Sequence, residues 1–522
     1  MSSRSTVMAR KGIVSSSHEL ASFWGANVLL KGGNVVDAAI ATSAVLSVVQ
    51  NNMCGIGGDL FALVKVNGKV TELNSSGRAA EMATIDYYEK NGFSQIPTSG
   101  PLSANTVPGM VRGWGELLKL GTMEIGELLE PAINYAEGGF PVTEKYVQSI
   151  RNSRQSLGPF EEWKRIFLPA GRIPDPGFVF KQKDLAESLR TIAKLGVDDF
   201  YEGELSKRIT DGVARQGGMI TADDLRNHKS NWNAHPLSTN YRGIKIYETS
   251  PNSQAATVLL WLNMLESFEL AELKLGSDKL SKVMLDTCLK AYAQRAKSIA
   301  DPSFFPLQLD FTSKKFAEEV LNSKETHRSL GSKATEVAGD TTYFAVADSE
   351  GNCLSVIQSN YMGFGSGLVP ERTGLVLHNR GCYFSLDRSH HNSIAPGKRT
   401  FHTLCASLGE KDDETLFAIG SMGGDVQPQI HIQLMTQVID FNVDLQCAID
   451  RPRWIVPMTI YERPSKIYSE FGPSRSMSTN GLEVVQSDGL SSLFGHAQAI
   501  YRKENGLFGA ADPRGDGATV GF

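Results

Sequence analysis

The stretch EVAGDTTYFAVADSEGN, residues 336–352, joins a polar segment to a strand-like run at Asp340-Thr341-Thr342. From Thr341 onward, TTYFAVADSEGNCLSVIQSN reads as two alternating runs about a turn at Glu350-Gly351, hence a hairpin. Counting outward from that turn places Thr341 opposite Ser359 or Asn360, within one register step and barring a bulge. A hydroxyl on the return strand therefore sits beside the first strand residue. A threonine hydroxyl is a poor nucleophile until a base lies within hydrogen-bond reach. A free α-amino group on the same threonine, with a pKa of about 8, is one such base. That solution requires Thr341 to become an N-terminus, by a cut after Asp340. Residues 310–340 start as a charged helix and end rich in Ser, Gly, Lys and Thr. This end reads as a mobile linker that could release the upstream strand. On composition alone, an ordinary surface linker entering a strand is the favoured reading of the junction.

A second element is AIGSMGGDVQPQ, Ala418 to Gln429. A strand runs out at Gly420, Gly423 and Gly424 follow, and a helix opens near Gln427-Pro428, where proline is favourable in the first turn. Adjacent glycines let backbone N–H groups approach a ligand, and a helix N-terminus adds partial positive charge. Together they suit an oxyanion hole. No GKS or GKT follows, which argues against a phosphate loop.

Elsewhere, HELASFWGANVLLKGGNVVDAAIATSAVLSVVQ has helical spacing broken at Gly32-Gly33, with Asn34 as a cap. CGIGGD then leads into LFALVKVNGKVTELN, a hairpin with Asn67-Gly68 at its tip. From Val107 to about residue 300 helices are expected to dominate, the clearest being SDKLSKVMLDTCLKAYAQRAKSIADP, ended by Pro302. TGLVLHN at 373–379, residues 402–408 and ETLFAIGS at 414–421 read as strands. Strands first and a helix laid on them afterwards predict a sheet covered by helices rather than a doubly wound parallel sheet.

At 522 residues the chain has length for about three or four domain-sized units. A net charge of −5 without a basic stripe argues against nucleic-acid partners. The six cysteines, Cys54, Cys288, Cys353, Cys382, Cys405 and Cys447, form no CxxC and read as buried thiols in a reducing compartment. MSSRSTVMARKGIVSSS has a basic start but no apolar core, and no run of about 18 apolar residues occurs, so a cytoplasmic protein without a membrane span is expected. His390-His391, with His378 and His402, lacks the carboxylate or cysteine spacing of a metal site; no metal or other cofactor is expected.

The chain also resembles the γ-glutamyltranspeptidase family. The motifs GGNVVDAA (32–39), GIGGD (55–59), VPG (107–109), GDTTYFAVADSEGN (339–352), FGSG (364–367), TGLVLHN (373–379), APGKR (395–399), GSMGGD (420–425) and ADPR (511–514) occur in family order across nearly its whole length. The resemblance implies an α+β fold, the four-layer αββα sandwich of N-terminal nucleophile hydrolases. It implies a precursor that cuts itself between Asp340 and Thr341 into intertwined chains, 1–340 and 341–522, acting on a small-molecule amide; a homodimer stays open. Thr341 matches the family nucleophile, Ser359 the position of a helper hydroxyl, and Gly423 and Gly424 the oxyanion glycines.

The substrate pocket departs from the family pattern. Ser76 aligns with the arginine that holds a glutamyl carboxylate, with Arg78 two residues on. Tyr361 stands for an asparagine, Tyr383 for the acid that pairs with the glutamyl ammonium, Arg380 for a glutamine, and His402-Thr403 for a serine pair. The loop from Tyr383 to Ala395 is short and lacks the lid of bacterial transpeptidases. An ammonium would lose its partner there, while Arg380 favours an anion. The pattern therefore points toward oxamate-type amidohydrolases and cephalosporin acylase-like enzymes, with γ-glutamyl transfer or an uncleaved non-catalytic protein as the other readings. A further alternative has Arg78 and Arg380 merely pairing with Asp59 or Asp425.

Overall fold

The computed structural model describes residues 3–323, 339–412, 414–462, 464–471, 482–504 and 506–522. The linker read from the sequence at 324–338 lies outside them. Alternation along the central hairpin sets the architecture. Asp340–Asp348 and Cys353–Tyr361 are its two strands. Phe344, Val346, Leu354 and Val356 belong to one apolar core, and Tyr343, Ala345, Ala347, Cys353 and Ile357 to another. Successive side chains point to opposite faces of a strand, so both faces of this hairpin are covered.

The hairpin lies mid-way across a seven-stranded antiparallel sheet, flanked by Gly12–Ser16 on one side and Asp59–Val66 on the other. A second seven-stranded antiparallel sheet, with Glu414–Ser421 between Ser407–Lys411 and Ala497–Lys503, faces it. The facing is close: a Cβ at Gly420 would fall 2.1 Å from the Tyr343 ring, so only glycine fits under that tyrosine. Helices Glu19–Leu30 and Val35–Val49 pack outside the first sheet, and Ala256–Leu265 and Gln427–Ile439 outside the second. The layers run α, β, β, α, as the family resemblance implied. Residues on both sides of position 340 share each sheet, so segments 1–340 and 341–522 are interleaved within both sheets.

Local signals account for most elements. Asn34 caps the second helix with a capping box to Asp37. Asn67 and Gly68, both at positive φ, close the hairpin of Asp59–Val66 and Lys69–Ser75. Helices dominate from Val107 to about residue 300, as expected, and the region also supplies sheet strands Asn231–Asn233, Leu237–Tyr241 and Ile244–Glu248. Three other expectations fail, wholly or in part. Residues 373–379 form no strand: the amide of His378 bonds to the Gly57 carbonyl, and Gly57 lies so close to Val376 that a Cβ would fall 2.2 Å from its carbonyl oxygen. Of 402–408 only the end joins Ser407–Lys411, because His402 exchanges backbone hydrogen bonds with the 252–254 loop instead. The helix Asp278–Ser298 ends four residues before the proline expected to stop it, at an extended Ile299.

Burial leaves several histidines neutral. His228 is 3 % exposed, stacks on Tyr201 at 5.6 Å, and neither ring nitrogen has a partner among the described residues. Burial first, and the Arg399 guanidinium next, push it down to about 3. The unfolded chain takes up that proton near pH 6.5, so this histidine favours folding above that pH and its contribution is lost as the pH falls toward 3. Wild type should therefore lose about 2 kcal/mol more than His228→Phe between pH 7.5 and pH 5. Urea midpoints at the two pH values measure this, and parallel losses would show that His228 is not held neutral.

Candidate active site

Thr341 sits at an irregularity in the hairpin. Asp340 pairs with Tyr361 and Thr342 with Gln358, so Ser359 and Asn360 together oppose Thr341. This β-bulge re-aims side chains at the strand end, and it answers the ambiguity of the sequence count: both residues face Thr341. The Thr341 hydroxyl donates to Ser359 Oγ at 3.1 Å. Ser359 in turn donates to the carbonyl oxygen of Asp340 at 2.6 Å and accepts from the Tyr361 amide at 2.7 Å. The serine oxygen thus uses its one donor and two acceptor positions. Thr341 and Ser359 are 1 % and 2 % exposed. Tyr361 has φ +77, a backbone region that costs a non-glycine residue about 1–3 kcal/mol and persists where surroundings enforce it.

The GIGGD turn backs this hairpin. A Cβ at Gly58 would strike the Ser359 carbonyl at 2.5 Å, so glycine lets the turn press against the serine from behind. Asn360 is tied to the preceding segment by its amide to the Met53 carbonyl and its side chain to the Asn51 carbonyl.

Gly423 and Gly424 adopt φ +142 and +55, then lead through a short turn into the helix Gln427–Ile439. Buried side chains fix this turn. Gln254 Nε2 donates to the carbonyls of both Gly424 and Thr403, at 2.9 and 2.8 Å. Arg295, fully buried, donates to Gln254 Oε1 and Asp425 Oδ1; Tyr383 also donates to Asp425 Oδ1, and Tyr292 to the Asp425 carbonyl. The turn also meets the hairpin: a Cβ at Gly339 would lie 2.6 Å from Gly424 Cα.

Arg380 joins the two halves. Its guanidinium lies 3.7 Å from the centroid of the Tyr361 ring, and Nη2 donates to Thr403 Oγ1 at 2.8 Å. It is 1 % exposed, yet Nε and Nη1 have no hydrogen-bond partner among the described residues. Burial lowers its pKa. No carboxylate pairs with it among the described residues, since Asp425 is held by Arg295 and Tyr383, and Asp59 by histidines. His402 donates Nε2–H to Asp59 Oδ2 at 3.1 Å; burial first, and Arg380 next, hold it neutral at about 3. His378 approaches the same oxygen at 3.5 Å, and Gly77 donates its amide to Oδ1. Burial alone would raise Asp59, but these partners prevail and its pKa falls to about 2. Arg78, by contrast, already has partners: the Gly397 carbonyl at 2.9 Å and Asp301 at 3.5 Å. His390 and His391 stack on one another at 4.3 Å, away from the His378–Asp59–His402 cluster.

The structure thus gathers Asp340, Thr341, Ser359, Tyr361, Arg380, Tyr383, Thr403, Gly423 and Gly424 around one centre, with His402 behind Thr403. Sequence reasoning missed Gln254 and Arg295, which set the glycine turn. Arg295 had a signal, being a charged residue beside Ala291, Tyr292 and Ala296 on the buried face of its helix; Gln254 had none.

The family model described as gamma-glutamyltranspeptidase matches residues 21–522. A glutathione hydrolase-like YwrD proenzyme of Bacillus subtilis is 38 % identical, with 99 % of each chain covered. The oxamate amidohydrolase proenzyme of Klebsiella pneumoniae is 34 % identical, covering 99 % of this chain and all of that one. Among solved structures, a cephalosporin acylase from Bacillus halodurans superposes with a TM-score of 0.91 at 34 % identity, over 100 % of this chain and 98 % of the other.

The hydroxyl relay makes a test that needs no substrate. In the cut before Thr341 that the family resemblance implies, Ser359→Ala removes the donor to the Asp340 carbonyl, and one lost donor to a developing oxyanion costs about 3 kcal/mol. Conversion of the full chain into two fragments, followed on denaturing gels, should slow by about a hundredfold or more, with Ser359→Thr retaining much of the rate. Unchanged conversion in Ser359→Ala would remove the serine from the reaction.

Proposed function

The chain is an enzyme of the γ-glutamyltranspeptidase family, and we propose that it is an N-terminal threonine amide hydrolase that generates its own nucleophile by cutting between Asp340 and Thr341. The observation that carries this reading is the run of hydroxyls from Thr341 through Ser359 to the Asp340 carbonyl. In the cut, Thr341 Oγ1 bonds to the Asp340 carbonyl carbon while the Ser359 hydroxyl stabilises the charge growing on the oxygen. The C–N bond breaks, the hydroxyl proton ends on the Thr341 nitrogen, and an ester remains. Water hydrolyses that ester, leaving a carboxylate on Asp340 and a free amine and hydroxyl on Thr341.

The freed amine then acts as base. Thr341 attacks a substrate amide, the amine takes its proton and passes it to the leaving amine, and an acyl-enzyme forms. The Gly423 and Gly424 N–H groups hold the oxyanion. Water resolves the ester in hydrolysis; an acceptor amine would give transfer. Interleaved strands keep the 1–340 and 341–522 chains together afterwards.

The acyl group is a small one bearing a carboxylate, held by a free donor of Arg380, Nε or Nη1. A buried guanidinium with unused donors lacks an anion, and a hydrogen bond to a charged group contributes about 1.5–3 kcal/mol. Asp59 and Asp425 are both engaged, the first by His402 and Gly77 and the second by Tyr383 and Arg295, so neither is free for a γ-glutamyl ammonium. Similarity to the oxamate amidohydrolase agrees with this choice.

Thr341→Ala should stay a single chain with no turnover, while wild type yields a small chain beginning Thr-Thr-Tyr-Phe on N-terminal sequencing. A variant that still cuts would refute the nucleophile assignment. Arg380→Gln should raise KM for a small oxo-acid amide by about 10–100-fold and leave cleavage intact. Wild-type turnover of a γ-glutamyl anilide that exceeds turnover of the oxo-acid amide would overturn the acyl group named here.

A further inference from the structure

The uncut chain lies across the glycine turn that the mature reaction needs. We infer that Gly339 is a positioning residue for self-cleavage: its missing side chain seats the scissile peptide on the Gly423-Gly424 turn, and it has no part in the later reaction. This rests on the proposed role of Thr341. A Cβ on Gly339 would stand 2.6 Å from Gly424 Cα and 2.9 Å from Gly424 N, both backbone atoms. Neither side can give way. The Gly424 carbonyl is held by Gln254, and the next residue is fixed through Arg295, Tyr292 and Tyr383. One residue on from Gly339, the Asp340 carbonyl is held by Ser359. A side chain at 339 therefore pushes the carbonyl that Thr341 must attack off its hydrogen bond.

The same contact closes the turn to outside substrate. The point where a Gly339 Cβ would stand is 2.9 Å from the Gly424 nitrogen, one of the two donors proposed for the acyl oxyanion, so the uncut chain runs beside the place an outside oxygen would take. The uncut chain is thus blocked twice, once because the Thr341 nitrogen is tied up in a peptide and once because the turn is occupied. Breaking the 340–341 bond relieves both, since the Gly339-Asp340 end is then free to leave. Residue 339 should matter once in the life of each molecule.

The test uses the full chain carrying Gly339→Ala or Gly339→Val. Half-times of cleavage from denaturing gels should lengthen by about tenfold or more for Ala and further for Val. The cleaved fraction, quantified by N-terminal sequencing of Thr341, should turn over a small oxo-acid amide with kcat/KM within about twofold of wild type. Cleavage of Gly339→Ala at the wild-type rate overturns the inference, and so does a cleaved form with altered kcat/KM. Folding is checked in the uncut background: Thr341→Ala with and without Gly339→Ala should melt within a few degrees of each other, and loss of a cooperative transition in the double variant would also overturn it. If wild type is not cut before Thr341, the parent reading fails instead; if wild type cuts, Thr341→Ala does not, and Gly339→Ala cuts normally, only the role of Gly339 fails.

Discussion

A single serine oxygen holds the centre of this molecule in register. Ser359 Oγ accepts from the Thr341 hydroxyl and the Tyr361 amide and donates to the Asp340 carbonyl. With those bonds made it has no spare capacity, so the three groups stand in fixed relation. The bulge that brings Ser359 and Asn360 together opposite Thr341 is what makes the arrangement reachable. The glycines of the 55–59 turn then let the chain press on the serine from behind. Removing the hydroxyl would leave a buried carbonyl and a buried amide without partners, a cost beyond the loss of one contact.

The second half of the site is built differently. Its glycine turn is held by long buried side chains, Gln254 from the loop before the helix Ala256–Leu265 and Arg295 from the helix Asp278–Ser298. Arg380 sits where the halves meet, stacked on Tyr361 from the hairpin and bonded to Thr403 from the segment Gln254 fixes. A buried cation normally finds an acid, yet the nearby acids are engaged elsewhere. Asp59 is committed to His402, His378 and Gly77, and Asp425 to Arg295 and Tyr383. That division of partners is the physical basis for assigning an anionic acyl group.

Much of this was readable in the chain. Alternation around Glu350-Gly351 located the hairpin and set Ser359 against Thr341, because register follows from turn position when both faces are buried. Paired glycines before Gln427-Pro428 marked a turn where backbone N–H groups can approach a ligand, although a plain strand–helix junction could carry the same residues. The two misread strands share one cause. TGLVLHN and the residues after His402 have strand-like apolar patterns, but their backbone hydrogen bonds go to loops that approach only in the folded molecule. Gln254 and Arg295 were hidden likewise: each acts through a partner more than a hundred residues away. The pairing of Arg78 with Asp301 and Gly397 depends on the same long-range assembly, so sequence could place Arg78 near the pocket without showing that its guanidinium is already occupied.

The interleaving of strands has a consequence for the lifetime of the molecule. The hairpin 340–361 is zipped between strands 12–16 and 59–66, so folding draws on one continuous chain, with only loop closure to bring the pieces together. Once the bond before Thr341 is broken, refolding would have to reunite two separate polypeptides against the entropy of association, which depends on their concentration. Unfolding then becomes a road without an easy return, and the durability of the working enzyme is set by the height of its unfolding barrier rather than by an equilibrium. In the proposed reaction the peptide bond at 340–341 would thus be a folding aid as well as a latent reactant, used in the second way only after the first is complete.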